Sequence, residues 1–319
     1  MQRSLVGSEM CIRDRKYTYP KIEFPRPYLC MAISPKAKGD EDKIATGIAK
    51  LLEEDLTIRY ENNAETKQMC IYGLGEMHID VITSKLKNRF GTTVTVSPAK
   101  VPYRETIKKK VQVEGKHKKQ SGGHGQYGHV KIEFSPGDTD GLEFTETIFG
   151  GSVPKNFHPA VEKGLQESMA KGVLAGYPVI GIKANLFDGS YHDVDSSEMS
   201  FKLAANLAFK EGMKQGGAVL LEPVGELRVS IPTSYSGDIM GDISKRRGRI
   251  TGMSESGRKG FTVIEAEVPS AEMGSYAIQL RAMTQGRGSY SFAFVRYEEA
   301  PAEVAAKVIE AAKKEAAAE

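Results

Sequence analysis

Twice along this chain the same succession of patterns occurs, and that succession closes into very few folds. In the first stretch Tyr28–Ile33 is a short apolar run, and Asp40 opens a helical stripe of Ile44, Ile48, Leu51 and Leu52. Thr57–Tyr60 and Gln68–Tyr72 flank the turn-prone Glu61-Asn62-Asn63 and read as a hairpin. Ile79, Ile82, Leu86 and Phe90 repeat at helical spacing and stop at Gly91, after which Thr92–Val96 is rich in β-branched residues. The order βαββαβ is that of a ferredoxin-like unit.

Near the C-terminus the order recurs without obvious sequence identity. Leu227, Val229 and Ile231 alternate with polar residues, and a helix follows over Asp238–Arg247 with Ile239 and Ile243 inward. Arg249–Met253 is a weaker strand, and Ile264, Ala266 and Val268 alternate against Glu265 and Glu267. Met273, Ala277, Leu280 and Thr284 mark a second helix, and Tyr290, Phe292 and Phe294 line one face of a last strand. The segment between the units has a different pattern. It holds an extended basic arm, strands near Val130–Phe134 and Phe144–Ile148, a helix through Val161, Leu165 and Met169, and a strand over Pro178–Phe187. A further helix begins at Asp195-Ser196-Ser197-Glu198, read as an Asp195 N-cap with Glu198 three residues on. Its Met199, Leu203 and Leu207 place apolar residues on several sides, which predicts burial. Ala302–Ala318 reads as a terminal helix.

Two loops in the middle segment carry the chemistry. Gln120-Ser121-Gly122-Gly123-His124-Gly125-Gln126-Tyr127-Gly128-His129 packs glycines among amide, hydroxyl, imidazole and phenol groups with no apolar period. The second is Gly189-Ser190-Tyr191-His192-Asp193-Val194-Asp195-Ser196-Ser197. From Lys100 to Lys131 nine Lys or Arg oppose only Glu105 and Glu114, so the first loop sits on a cationic arm. A second cluster, Lys245, Arg246, Arg247, Arg249, Arg258 and Lys259, faces Asp242 and Glu255. A charge run is ordinarily a solvated face; two of them beside glycine-rich turns favour an RNA partner. The overall charge of +3 would not argue for one alone.

Several classes are disfavoured. There is no GxxxxGK[ST] phosphate loop. Gly123–Gly128 has GxGxxG spacing, but a charged arm precedes it and no helical pattern follows, unlike a dinucleotide site. A metal centre built from His117, His124 and His129 would lack cysteine support, so no metal is expected. His192 with Asp193 or Asp195 has no convincing nucleophile, because Ser196 is better explained by the helix start. Cys11, Cys30 and Cys70 show no CxxC spacing and fit a reducing, cytoplasmic setting. No apolar run reaches the roughly 20 residues of a membrane span.

Both loops resemble the tip of the fourth domain of bacterial elongation factor G, the translocation GTPase, where a Gln-Ser-Gly-Gly and Gly-Gln-Tyr-Gly-His loop is paired with Tyr-His-Asp-Val-Asp-Ser. The similarity runs from about Phe24 to about Val308. His124 stands where Arg is common, which leaves open a paralogous translation factor, including a ribosome-protection factor. A general RNA-binding module is the more distant alternative. Gly73-Leu74-Gly75-Glu76-Met77-His78 resembles the third domain, with His78 read as a packed helix residue. Gly237-Asp238 with Lys245, Arg246 and Arg247 resembles the fifth domain, which meets the sarcin–ricin loop and stalk base of large-subunit rRNA.

The resemblance implies an α+β chain in which two ferredoxin-like units flank a mixed α/β domain with a left-handed βαβ connection. The expected divisions are 1–19 as a leader foreign to the family, 20–98, 99–220, 221–300, and a helix over 301–319. It implies a decoding-site tip formed by Gln120, Ser121, Gly122, Gly123, His124, Gly125, Gln126, Tyr191, His192 and Asp193, with the glycines Gly122 and Gly123 letting backbone approach the codon–anticodon duplex. The implied partners are the ribosome, through rRNA of both subunits, and tRNA and mRNA; the implied state is a monomer. In the family GTP and magnesium are held by a GTPase domain, for which this sequence has no motif. No cofactor, catalytic residue or GTP hydrolysis is therefore expected of the chain by itself.

Overall fold

A computed structural model describes residues 22, 24, 27, 29–37, 39–63, 66–120, 125–137 and 139–318. The expected leader, Tyr28, and the loop residues Ser121, Gly122, Gly123 and His124 lie outside the described residues. The chain is α+β, and apart from a few residues near 65 it divides at Ala99/Lys100 into two compact units.

The first unit runs β1 (Leu29–Pro35), α1 (Glu41–Glu54), β2 (Arg59–Asn63), β3 (Gln68–Gly73), α2 (Glu76–Phe90) and β4 (Val94–Pro98). The sheet order is β2-β3-β1-β4, antiparallel throughout, which is the ferredoxin-like arrangement. Ile44, Ile48 and Leu51 of α1 and Ile79, Ile82 and Leu86 of α2 are buried, as their spacing requires. Gly91 takes φ 67° after α2, and the Thr92 amide then donates to Leu86 O, so the stop is a left-handed C-terminal cap. His78 is a packed residue at the helix start: Nδ1 accepts from the Leu74 amide at 3.1 Å and Nε2 lies 3.0 Å from Asp55 Oδ2.

The second unit begins with β5 (Arg104–Ile107), β6 (Val111–Lys119), β7 (Gln126–Pro136), β8 (Leu142–Glu146), α3 (His158–Met169), β9 (Ile182–Ser190) and α4 (Glu198–Gln215). Strands β6-β7-β9-β8 form one sheet, in which β8 and β9 are parallel and joined through α3. It continues with β10 (Ala218–Pro232), α5 (Ser236–Lys245), β11 (Arg249–Glu255), β12 (Phe261–Pro269), α6 (Tyr276–Thr284), β13 (Ser289–Glu299) and α7 (Ala302–Ala318). The order β11-β12-β10-β13 repeats the topology of the first unit. Leu227, Val229, Ile231, Ile264, Ala266 and Val268 cover Ile239, Ile243 and Leu280 in its core.

Phe294 keeps the alternation of Tyr290 and Phe292, opposite Gly225, but is 56% exposed, and the β10–β13 register slips just beyond it, between Phe294 and Arg296. Two expectations are corrected here. Met199, Leu203 and Leu207 face outward; α4 instead buries Phe201, Ala204, Ala205, Ala208, Phe209 and Met213. The alanines let the helix lie close on the sheet while Phe201, Phe209 and Met213 fill the core beside them, so Met199, Leu203 and Leu207 are not the stripe that marks its inner face. The N-cap of α4 is Ser197, whose Oγ accepts from the Ser200 amide, and not Asp195.

The tip-bearing sheet is tied to the C-terminal sheet by shared backbone. β5 pairs antiparallel with the start of β10, Ile107 opposite Ala218 and Arg104 opposite Leu221. The fully buried Glu105 side chain accepts from the amides of Val173, Leu174, Ala175 and Tyr177 at 2.7–3.2 Å. A carboxylate that takes four backbone donors satisfies an entire loop at once.

Candidate nucleic-acid interface

β6 and β7 pair from Val111/Phe134 to Lys119/Gln126, so Gln120 leaves the sheet where β7 enters it. β9 pairs with the same end of β7, His129 opposite Ser190. Gln120 and the loop after Ser190 therefore emerge from one end of the sheet. The position of α4 over that end is set by glycine. A Cβ on Gly115 would lie 2.2 Å from Ala204 O, and one on Gly128 would lie 2.4 Å from Ser200 O. Helix backbone can come this near a strand only where the strand has no side chain.

The two loops are hydrogen-bonded into one body. Asp195 Oδ1 accepts from the Gly125 amide at 2.9 Å, and Asp195 O accepts from the Tyr127 amide at 2.9 Å. Ser196 Oγ donates to Tyr127 O at 3.0 Å and accepts from the His192 amide at 2.9 Å. The Ser196 amide in turn donates to His192 O at 3.0 Å. Asp195 and Ser196 were legible only as a helix start; their long-range role needs the sheet register that brings Gly125 and Tyr127 beside them. Gln120, Tyr191, His192 and Asp193 are exposed at this end, while Gln126 Oε1 accepts from the His117 ring, 3.0 Å from its Nε2.

The open face of the sheet, opposite α4, carries a polar chain. Tyr127 Oη and His129 Nδ1 each lie 2.7 Å from Ser190 Oγ. His129 Nε2 is 2.9 Å from Glu114 Oε1, near enough for an ion pair though not aligned as a hydrogen bond. Burial holds the His129 pKa below the ordinary imidazole value, against the pull of Glu114. Lys116 lies 6.0 Å from the Tyr127 ring centre on this face, and Lys118 and Lys119 are exposed beyond it. Most of the base of the arm is paired: Lys108 with Glu299, Lys110 with Glu133 and Lys131 with Asp188, while Lys109 stays exposed. The cationic character of the arm thus concentrates toward the loops.

His117 and His129 project from opposite faces of the β6–β7 ladder, so they do not converge. Among the described residues no group of side chains could hold a metal ion, and no helix is long and apolar enough to cross a membrane.

At the other proposed contact, Gly237, Asp238 and Lys245 are exposed on α5, whereas Arg246 is buried and Arg247 half-buried. Arg246 is buried, with its guanidinium donating to Asp242, Glu272 O and Gln279. Arg247, at φ 60°, forks onto both oxygens of the buried Glu222 and also bonds Glu272. Their reading as RNA-facing groups is corrected: adjacent carboxylates claim their donors, and they brace the fold.

Family models match the chain in consecutive blocks: Elongation Factor G, domain III, over residues 24–98; Elongation factor G, domain IV, over 99–217; and Elongation factor G C-terminus over 219–308. A crystal structure of a protein from Thermus thermophilus superposes with a TM-score of 0.81 at 41% identity over 92% of this chain. The match covers 44% of that protein, so the chain spans under half of its length. The paired tip loops and the two ferredoxin-like units are therefore those of a known lineage, and the chain belongs to the elongation factor G family, carrying its domain III, domain IV and C-terminal domain in order.

Proposed function

We propose that this chain is the ribosome-engaging part of a cytoplasmic translation factor that moves tRNA and mRNA through the ribosome, driven by GTP hydrolysis in a GTPase domain. The observation that carries the reading is the bonding of Gly125 and Tyr127 to Asp195 and Ser196 at one end of a sheet whose nearest exposed cations are Lys116, Lys118 and Lys119. Such a body suits entry into the decoding site, with Gln120 and His192 in contact with the codon–anticodon duplex. A-form RNA presents a wide, shallow minor groove edged with 2′-hydroxyls, which neutral polar side chains reach without reading sequence. The lysines supply a phosphate term that is blind to sequence. On the large subunit, the exposed Gly237, Asp238 and Lys245 remain as contacts to rRNA, held by the Arg246 and Arg247 networks beneath them.

The test joins the chain to a GTPase domain and follows single-round translocation, with ribosome-stimulated GTP hydrolysis as control. His192→Ala and Gln120→Ala are each expected to slow translocation about ten-fold, the loss of one hydrogen bond at about 1–2 kcal/mol, with hydrolysis unchanged. Parental translocation in both variants would refute the assignment.

A further inference from the structure

The His192 ring is held in one polarity. Its Nδ1 receives the backbone amides of Val194 and Asp195, each at 3.3 Å. Among the described residues the carboxylate oxygen near that nitrogen is Asp195 Oδ2, 3.6 Å away and too far for a hydrogen bond, and its partner Oδ1 is engaged by Gly125. With two donors aimed at Nδ1, that atom accepts, and the proton of the neutral ring resides on Nε2. The side chain is 57% exposed, so the Nε2 edge is the one offered to a partner. Ser196 holds the turn that brings the two amides to the ring, since its Oγ accepts from His192 N while donating to Tyr127 O.

Polarity decides what such a ring tolerates. On the base edges of the minor groove every Watson–Crick pair displays acceptors, purine N3 and pyrimidine O2, while a base donor appears only where guanine contributes its N2 amine; the 2′-hydroxyls can serve either way. A ring that donates meets a partner at any base pair or at a ribose oxygen. A ring that accepts would find a base-edge partner only at guanine. We propose that Ser196 is a positioning residue that fixes His192 as the Nε2–H tautomer, so that the tip donates to minor-groove acceptors present in every codon–anticodon pair. This inference rests on the decoding-site reading above and specifies the atoms that the site takes.

The tautomer is read directly by nitrogen NMR of the full chain carrying ¹⁵N-histidine, with the His192→Gln spectrum assigning the signal. A protonated Nε2 with an unprotonated Nδ1 is expected at a pH where the ring is neutral, and Ser196→Ala should convert it to a mixture of tautomers. An Nδ1–H ring, or averaging of the two in the parental chain, overturns the inference whatever ribosomes do; a single Nε2–H tautomer retained in Ser196→Ala overturns the role of Ser196. The functional arm uses the chain joined to a GTPase domain. His192→Gln, whose amide nitrogen reaches the Nε2 position, should keep translocation within about three-fold of parental, and His192→Asn, which mimics Nδ1, should lose about ten-fold. Parental rates should agree within about two-fold on A·U-rich and G·C-rich codons. Equal rates for the Gln and Asn variants, with the Nε2–H tautomer seen, would leave the ring polarity standing and reject its contact with RNA.

Discussion

His129 shows how one side chain can record the packing of three strands. It reaches Ser190 on β9 and Glu114 on β6 while burial keeps its pKa below the ordinary value near 6.5. The unfolded chain therefore binds this proton more readily than the folded one. The stability due to the neutral ring is full above the ordinary histidine pKa and is lost as pH falls through the lower folded value. Urea unfolding of the parental chain between pH 7.5 and 5 should show this loss. His129→Gln, which keeps a polar contact to Ser190 without a titrating ring, should flatten that part of the profile; an unchanged slope would assign the proton to another group. The residue is legible in the sequence as one imidazole of a glycine-rich loop, but its partners are not. Ser190 and Glu114 lie 61 and 15 positions away along the chain, and only strand register brings them together.

The α4 helix and the β6–β7 ladder depend on what the strands lack. Gly128 reads as part of a flexible loop motif, yet it lies in β7 and opens the space that Ser200 backbone fills. Gly128→Val should destabilise the second unit by about 3 kcal/mol or more, since backbone cannot yield as a flexible side chain would. Chemical denaturation measures it, and a loss under about 1 kcal/mol would mean that the helix can lift away freely. Sequence periodicity was informative where one face is apolar and the other polar: Ile44, Ile48 and Leu51, or Ile79, Ile82 and Leu86, gave their helices and inner faces directly. It misled at α4, where the stripe of Met199, Leu203 and Leu207 faces outward and the buried stripe is Phe201, Ala204, Ala205, Ala208 and Phe209, whose alanines make the close contact. Where the opposing strand is glycine, alanine joins the buried stripe, and a search for large apolar residues alone misses it. Likewise the Arg246-Arg247 pair looks like a phosphate contact until Asp242, Glu222 and Glu272 are seen around it, two of them distant in sequence.

Across the molecule, Glu105 joins what the sequence divides. It stands on a strand paired with β10, and its carboxyl group gathers the amides of the 173–177 loop, which follows α3 of the tip-bearing part. Glu105→Ala should cost about 3–5 kcal/mol, because it strands buried amide donors together. Calorimetry should show residues 100–319 unfolding as one transition in the parental chain and as two in the variant; a single transition in both would place the coupling elsewhere, in β5–β10 pairing or in the packing of α7 against Tyr103 and Leu220. The same pairing has a mechanical reading. Tension applied along β5 and β10 loads their hydrogen bonds side by side, in shear, so they must break together and not peel one after another. A thrust or torque on the loops at the far end of the β6–β7 hairpin is therefore delivered to the C-terminal sheet through a stiff hafted joint, with little of it dissipated in a flexible tether.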